Sequence, residues 1–186
     1  MLMKDLSDYC DRDKVCEILN YANTASRRDY LILKVLWESS MRVSELAALR
    51  PRDLEPQNHA IVIRNGKGSK WNGKGSKSRR VYVDYKTGAM NTLCKYISAM
   101  KIPEEMPIFG VKTNQIRNIV KKYGNMADVD IHPHSFRHSF AINMVRQGTD
   151  LRRVQQLLGH ANLNTTQVYL QFKDEDLRAI YNAVEF

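Results

Sequence analysis

The sequence predicts a mainly helical domain with a small antiparallel β-sheet, the α+β class, in which a helical bundle carries a β-hairpin. Two observations predict this class. Apolar residues recur at helical spacing over most of the chain, and in one central region two short strand-like runs flank a loop rich in glycine, lysine and serine. At 186 residues the chain fits a single domain, residues 1–186, that can bury a core without disulfides.

The first elements are a surface helix and a buried helix. Val15, Ile18, Leu19 and Ala22 recur at the spacing of one helix face. Residues 30–37 are apolar nearly all round, which is typical of a helix that is covered on every side.

The predicted hairpin consists of strands at residues 60–64 and 80–83 and the loop between them. The loop contains a tandem duplication, because residues 66–70 recur as residues 73–77. From Arg64 to Arg80 the chain carries seven basic residues and no acidic one. A loop of this charge favours contact with phosphate groups.

Helices return after the hairpin. Apolar residues at helical spacing predict one helix around residues 90–97 and a second over residues 113–124, capped by its threonine and ended by its glycine. A third helix is predicted over residues 134–147. A short fourth helix is predicted over residues 151–158 and is ended by Gly159. A last helix is predicted over residues 174–185, and its apolar face is expected to pack either on this domain or on a neighbouring copy.

Composition restricts the partners of the chain. The net charge of +9 favours a polyanion, although ribosomal and lipid-binding proteins share this feature. No apolar run reaches the roughly 18 residues of a membrane span, so a cytoplasmic protein is expected.

One pair of histidines has the spacing of a metal site. His134 and His138 stand four apart, but Ser135 occupies the position where zinc proteases have glutamate. We therefore predict no metal site and no cofactor.

Five side chains are suited to cutting a phosphodiester without a metal. Arg42 and Arg137 can neutralise the charge that develops on the phosphate oxygens, because guanidinium matches them bidentately. Tyr169 can attack phosphorus. A free phenol has a pKa of about 10, so it needs nearby positive charge and a proton acceptor, and His134 and His160 can accept the proton. Three of these residues also have an ordinary interpretation: Arg42 could pair with Glu45, His160 could be a turn residue, and Tyr169 could pack in a core.

These residues stand in an order that resembles the catalytic domain of the tyrosine recombinases, also called lambda-integrase-type or Xer-type recombinases. That family carries, in sequence order, an arginine, a lysine, a His-x-x-Arg pair, a second histidine or tryptophan, and a tyrosine. The resemblance covers nearly the whole chain. The matching segments are residues 41–49 with Arg42, the duplicated lysine loop, residues 133–141 with His134 and Arg137, residues 157–160 with His160, and residues 165–169 with Tyr169.

The resemblance implies site-specific breakage and rejoining of double-stranded DNA. Tyr169 would form a 3′-phosphotyrosine, a loop lysine would protonate the departing 5′-oxygen, and neither ATP nor a divalent metal would be needed. Four protomers would exchange strands, and the helix at 174–185 would link one protomer to the next. The family's N-terminal core-binding domain has no counterpart before Leu6, so residues 1–186 are expected to be the catalytic domain alone.

Because the loop is duplicated, two lysines are candidates for the catalytic lysine. Lys67 follows the first strand immediately, whereas Lys74 has the family's spacing to Arg79. We give Lys67 a slight preference. A nucleotide-binding loop is disfavoured, because Gly75 stands where a P-loop has Ser or Thr. A basic loop that only binds the DNA backbone is the remaining alternative.

The other basic residues of this region are expected to contact DNA. These predicted DNA contacts are Arg64, Lys70, Lys77, Arg79 and Arg80. Glu45 is expected to brace Arg42.

Three other functions remain open: a type IB topoisomerase, a non-catalytic DNA-binding module and, least favoured, a metal-dependent nuclease.

Overall fold

The computed structural model describes residues 10–64 and 78–159 of the chain. Its helices are α1 Arg12–Ala25, α2 Arg27–Ser39, α3 Val43–Ala47, α4 Ala89–Ala99, α5 Thr113–Met126, α6 Pro133–Arg146 and α7 Leu151–Leu158. Its strands are β1 Leu54–Glu55, β2 Ala60–Ile63 and β3 Arg79–Tyr82. The predicted class, mainly helical with one small antiparallel sheet, is confirmed. The helix predicted at 174–185 lies outside the described residues.

The helix α2 lies at the centre of the main core. Leu31, Ile32, Leu33, Val35 and Leu36 are all buried, as expected for a helix that is apolar nearly all round. The helices α1, α4, α5 and α6 pack against it. The buried helix predicted at 30–37 is therefore confirmed.

The sheet has the strand order β1–β2–β3, and both pairs are antiparallel. Ile61 pairs with Val81, and both side chains are buried. The two strands predicted from the sequence are confirmed to within one residue. The sequence did not predict β1, since it has only two residues and lies between two short 3₁₀ turns that begin at Pro51 and Pro56.

The helix α5 differs from its prediction at both ends. Lys112 rather than Thr113 is the N-cap residue, and its N–H donates to Oε1 of Gln115 at 2.8 Å. At the other end the helix continues past Gly124 to Met126. A Cβ at Gly124 would lie 2.7 Å from the carbonyl oxygen of Val129. This glycine therefore permits close packing and does not end the helix.

The helices α6 and α7 form a small second core and end close to the predicted positions. Gly148 has φ +79° and Gly159 has φ +64°, a left-handed conformation that favours glycine at helix ends. Among the described residues, no helix is long and apolar enough to span a membrane. The side chains buried between α6 and α7 are Ala141, Ile142, Val145, Val154 and Leu158.

Candidate active site

Arg42 is held at the start of α3 by Glu45. The backbone N–H of Arg42 donates to Oε2 of Glu45 at 2.7 Å, and its Nη1 donates to Oε1 at 3.0 Å. The Arg42 side chain remains 46% exposed. Its Nη2 also donates to the carbonyl oxygen of Gly159 at 3.2 Å, which connects α3 to the end of α7.

Arg137 is almost fully buried, with 3% of the residue exposed. Its Nη1 donates to the carbonyl oxygen of Ser40 at 2.8 Å, and its Nη2 donates to the carbonyl oxygen of Leu158. Ser40 ends α2 in the left-handed conformation, and Leu158 is the last residue of α7. Arg137 therefore connects three helices through one guanidinium.

The two arginines and His134 line the same cleft, whose volume is about 810 Å³. His134 belongs to the first turn of α6 and is exposed. The cleft also receives Arg117 and Lys121 from α5. A cleft with this many cationic side chains is suited to a phosphate group.

The two arginines also donate to consecutive carbonyl groups at the end of α7, those of Leu158 and Gly159. The carbonyl of Gly159 belongs to the peptide bond that leads to position 160. The structure thus brings together Arg42, His134, Arg137 and the peptide before the second predicted histidine. His160 and Tyr169 lie outside the described residues.

The ring of His134 lies beside that of His138, with 4.4 Å between the centroids. Ser135 lies between them in sequence and is buried, and its Oγ accepts from the N–H of His132 at 3.1 Å. This bond fixes the first turn of α6 that carries His134. Within residues 10–64 and 78–159, no group of three or more His, Cys, Asp or Glu side chains is arranged to hold a metal ion.

Glu45 forms a second and tighter ion pair with Arg79. Nη1 of Arg79 donates to Oε1 at 2.8 Å and Nη2 donates to Oε2 at 2.7 Å. Burial alone would raise the pKa of the Glu45 carboxyl, but hydrogen bonds from Arg79 and from the backbone N–H of Arg42 outweigh it and lower the pKa. Glu45 is therefore a carboxylate at neutral pH.

Arg79 also packs against Gly159. Substitution of this glycine should therefore disturb both the end of α7 and the side chain of Arg79. In Gly159→Ala the new Cβ would lie 2.7 Å from Cδ of Arg79, at a residue whose φ is +64°. We expect the free energy of unfolding to fall by about 1–2 kcal/mol from the left-handed backbone alone. Urea denaturation measures this loss. Gly148→Ala is the matched control, because its φ is +79° and nothing lies within 4 Å of the new Cβ. A smaller loss in Gly159→Ala than in Gly148→Ala would contradict the contact with Arg79.

The other predicted DNA contacts are more exposed than Arg79. Arg64 pairs with Asp53 at 2.8 Å, and Arg80 pairs with Glu55 at 3.0 Å. Both arginine side chains are more than half exposed. Their roles in DNA binding stay predictions. Four predicted residues of the loop, Lys67, Lys70, Lys74 and Lys77, lie outside the described residues.

Sequence reasoning missed two groups of basic residues near the site. Arg117 and Lys121 stand four apart on the exposed face of α5, opposite its apolar stripe, and this spacing was the signal that could have found them. Arg50 and Arg52 line a second groove, of about 530 Å³, which also includes Arg42. No helical period marks these two, because they stand at a 3₁₀ turn.

The sequence profile of the phage integrase family matches residues 8–176. The chain belongs to the phage integrase family. The predicted resemblance is thereby confirmed, since this match covers all five motif segments.

Similar members of the family are named as tyrosine recombinases. Tyrosine recombinase XerA of Thermococcus onnurineus is 33% identical, over 94% of this chain and 62% of the relative. Tyrosine recombinase XerC of Thermodesulfovibrio yellowstonii is 35% identical, over 92% of this chain and 59% of the relative. The chain thus spans about 60% of the length of these relatives.

Solved structures of two recombinases and one integrase share the fold. A crystal structure of XerA recombinase matches with a TM-score of 0.78 and 28% identity, over 100% of this chain and 68% of that one. XerH bound to its difH substrate in a post-cleavage complex matches with a TM-score of 0.76 and 22% identity, over 96% and 54%. The catalytic domain of bacteriophage HP1 integrase matches with a TM-score of 0.67 and 18% identity, over 94% of both chains.

Proposed function

We propose that this chain is the catalytic domain of a site-specific recombinase that cuts and rejoins duplex DNA through a 3′-phosphotyrosine. The observation that carries this proposal is the meeting of Arg42 and Arg137. They stand far apart in the sequence, line one cleft with His134, and both donate to the end of α7. Membership of a family whose similar members are named tyrosine recombinases supports it.

The cleft would bind the scissile phosphate. A guanidinium has five N–H donors, enough to hold backbone carbonyls and to bind phosphate oxygens as well. Arg137 is held by two helix ends and Arg42 by Glu45, so both donors are oriented before DNA arrives. Donors fixed in advance stabilise the charge of a phosphoryl transition state without a reorganisation cost during the reaction.

The reaction would proceed by transesterification. The phenol oxygen of Tyr169 attacks phosphorus, its proton passes to His134 or His160, and the bond from phosphorus to the 5′-oxygen breaks. A loop lysine gives its proton to that oxygen, which leaves a 5′-hydroxyl. Resealing is the reverse, with another strand's 5′-hydroxyl as the nucleophile. The bond energy is kept in the phosphotyrosine, so neither ATP nor a cofactor is consumed.

The ends of the loop support the role of its lysine. The loop begins just after Arg64, which pairs with Asp53 beside the second groove, and it ends at Arg79, which pairs with Glu45. Both ends are therefore anchored next to the segment that carries Arg42. We therefore propose a lysine of this loop as the proton donor, with a slight preference for Lys67 over Lys74.

Duplex DNA is the proposed partner, as in the XerH structure with difH. We further propose that four copies assemble on DNA, with residues 174–185 of one copy docking on the next, and that residues 1–186 act as a single catalytic domain. The cytoplasm is the expected location. Relatives named as recombinases favour strand exchange over topoisomerase activity.

The decisive experiment is trapping of the covalent intermediate. The protein is incubated in EDTA with a pool of nicked duplexes from candidate sites, separated on a denaturing gel, digested and analysed by mass spectrometry. We expect a protein–DNA adduct whose nucleotide is attached at Tyr169. DNA binding without an adduct would favour the non-catalytic module, and cutting that requires magnesium would favour a nuclease.

A second assay distinguishes a site-specific recombinase from a type IB topoisomerase. Paired sites on one plasmid are expected to give recombinant products of the predicted sizes. Relaxation of supercoils with no recombinant would favour the topoisomerase alternative. The same preparations serve both assays, so a difference in folding cannot explain the result.

A further inference from the structure

We propose that Arg79 is a positioning residue for Arg42, which keeps the positive charge of Arg42 available to the scissile phosphate by neutralising the carboxylate of Glu45. The inference rests on the proposed function, since it concerns the same cleft. It assigns Arg79 a role different from the DNA contact that the sequence predicted.

The geometry of the two ion pairs is unequal. Arg79 holds both oxygens of Glu45 with both Nη atoms, at 2.7 and 2.8 Å, and the two side chains are 15% and 12% exposed. Arg42 makes one side-chain bond to Glu45, at 3.0 Å, and is 46% exposed. A bidentate, largely buried pair is stronger than a single exposed contact. Glu45 is therefore mainly the partner of Arg79.

The charges of the three residues explain why this matters. One carboxylate between two guanidiniums leaves a net charge of +1, and this charge lies on the exposed member, Arg42. Without Arg79, both oxygens of Glu45 become available to Arg42, which would then form the bidentate pair itself. The cluster would become neutral, and the guanidinium would turn from the cleft toward Glu45.

Gly159 connects Arg42 and Arg79 a second time, in addition to their shared contact with Glu45. Arg42 donates to the carbonyl oxygen of Gly159, and the guanidinium of Arg79 packs on the same residue, with its Cζ 3.1 Å from an ideal Cβ. Arg79 thus contacts both groups that hold Arg42. Loss of Arg79 would loosen the carboxylate and the turn together.

Arg80, the next residue on the same strand, is exposed enough to contact DNA and serves as a comparison. Arg80 pairs with Glu55, and the two side chains are 61% and 26% exposed. Arg79 points to the other face of β3, toward Glu45 and Gly159. Its Nη atoms are both engaged, so a phosphate would have to displace a carboxylate to reach them.

The test separates the rate of cleavage from the affinity for DNA. Wild type and Arg79→Ala are compared in single-turnover adduct formation at saturating nicked DNA, and the Kd for the same DNA is measured at several salt concentrations. We expect the rate constant to fall by about 10- to 100-fold, somewhat less than the loss of a direct transition-state donor. The Kd should stay within about two-fold, because Arg42 makes only one of the many contacts with the DNA backbone that determine affinity. A raised Kd with an unchanged rate constant would instead make Arg79 a DNA contact.

Three further variants exclude a general effect on folding. Arg79→Lys keeps the charge and should recover most of the rate. In Glu45→Gln, additional loss of Arg79 should change the rate little, because the charge that Arg79 neutralises is gone. Lys34→Met breaks the ion pair of Lys34 with Glu38, which is somewhat more buried than that of Arg79 with Glu45. Neither Lys34 nor Glu38 lines the cleft, so this variant should leave the rate constant unchanged. Additive effects of Arg79 and Glu45, or a rate loss in Lys34→Met as large as that in Arg79→Ala, would overturn the proposal.

One readout does not require cleavage. The Nε–H signal of Arg42 in an NMR spectrum, assigned with Arg42→Lys, should shift in Arg79→Ala and return toward the wild-type position in Arg79→Lys. An unchanged signal in Arg79→Ala overturns the inference. If wild type forms no adduct, the proposed function fails, and this signal alone decides the role of Arg79.

Discussion

Substitution Tyr169→Phe is expected to abolish the covalent adduct with DNA. Phenylalanine keeps the shape of the ring but lacks the oxygen that would attack phosphorus, and removal of a nucleophile costs about 10⁴-fold or more in rate. DNA affinity should remain within about two-fold, because the cationic cleft formed by Arg42 and Arg137 is untouched. Denaturing gels of nicked-substrate reactions measure the first quantity, and fluorescence anisotropy measures the second.

Tyr181→Phe is the matched control, since this tyrosine stands twelve residues further along the chain and competes for the same role in the sequence. It should form the adduct at the wild-type level. If the adduct persists in Tyr169→Phe and disappears in Tyr181→Phe, the assignment of the nucleophile is wrong while the reaction class stands. If both variants react normally, neither tyrosine is the nucleophile.

Much of the fold follows from local signals. The apolar period marks α2, and the glycines at 148 and 159 stop α6 and α7, because each signal acts within a few residues of where it stands. Gly124 shows the limit of such reasoning. It has the residue type of a helix end, but its role depends on Val129 and Ile131, whose backbone and side chain approach it only after the chain has folded back.

The candidate site is less accessible to local reasoning. Nothing in the spacing of Arg42 and Arg137 indicates that both donate to the end of α7. Their meeting was expected from the resemblance to the family, and the structure supplies the contacts that achieve it. The pair of Glu45 and Arg79 was not expected at all, because its two members lie on different elements and each had a more obvious role nearby.

Arg137→Ala is expected to reduce both activity and stability. The side chain lines the cleft and also donates to the carbonyls of Ser40 and Leu158 from a position that is 3% exposed. Two buried acceptors would lose charged donors, which should lower the free energy of unfolding by about 2–4 kcal/mol. Loss of a donor to the developing phosphate charge should lower the rate of adduct formation by about 10²- to 10³-fold.

Two comparisons separate these effects. Arg146→Ala removes an exposed arginine from the last turn of the same helix and should change the unfolding free energy by less than about 0.5 kcal/mol. Arg137→Lys keeps one positive charge but cannot bridge two carbonyls with a planar fork, so it should recover part of the stability and little of the rate. A lysine variant with the full wild-type rate would mean that Arg137 acts through its charge alone. The bidentate geometry proposed for the phosphate would then be wrong, even though the residue remains part of the site.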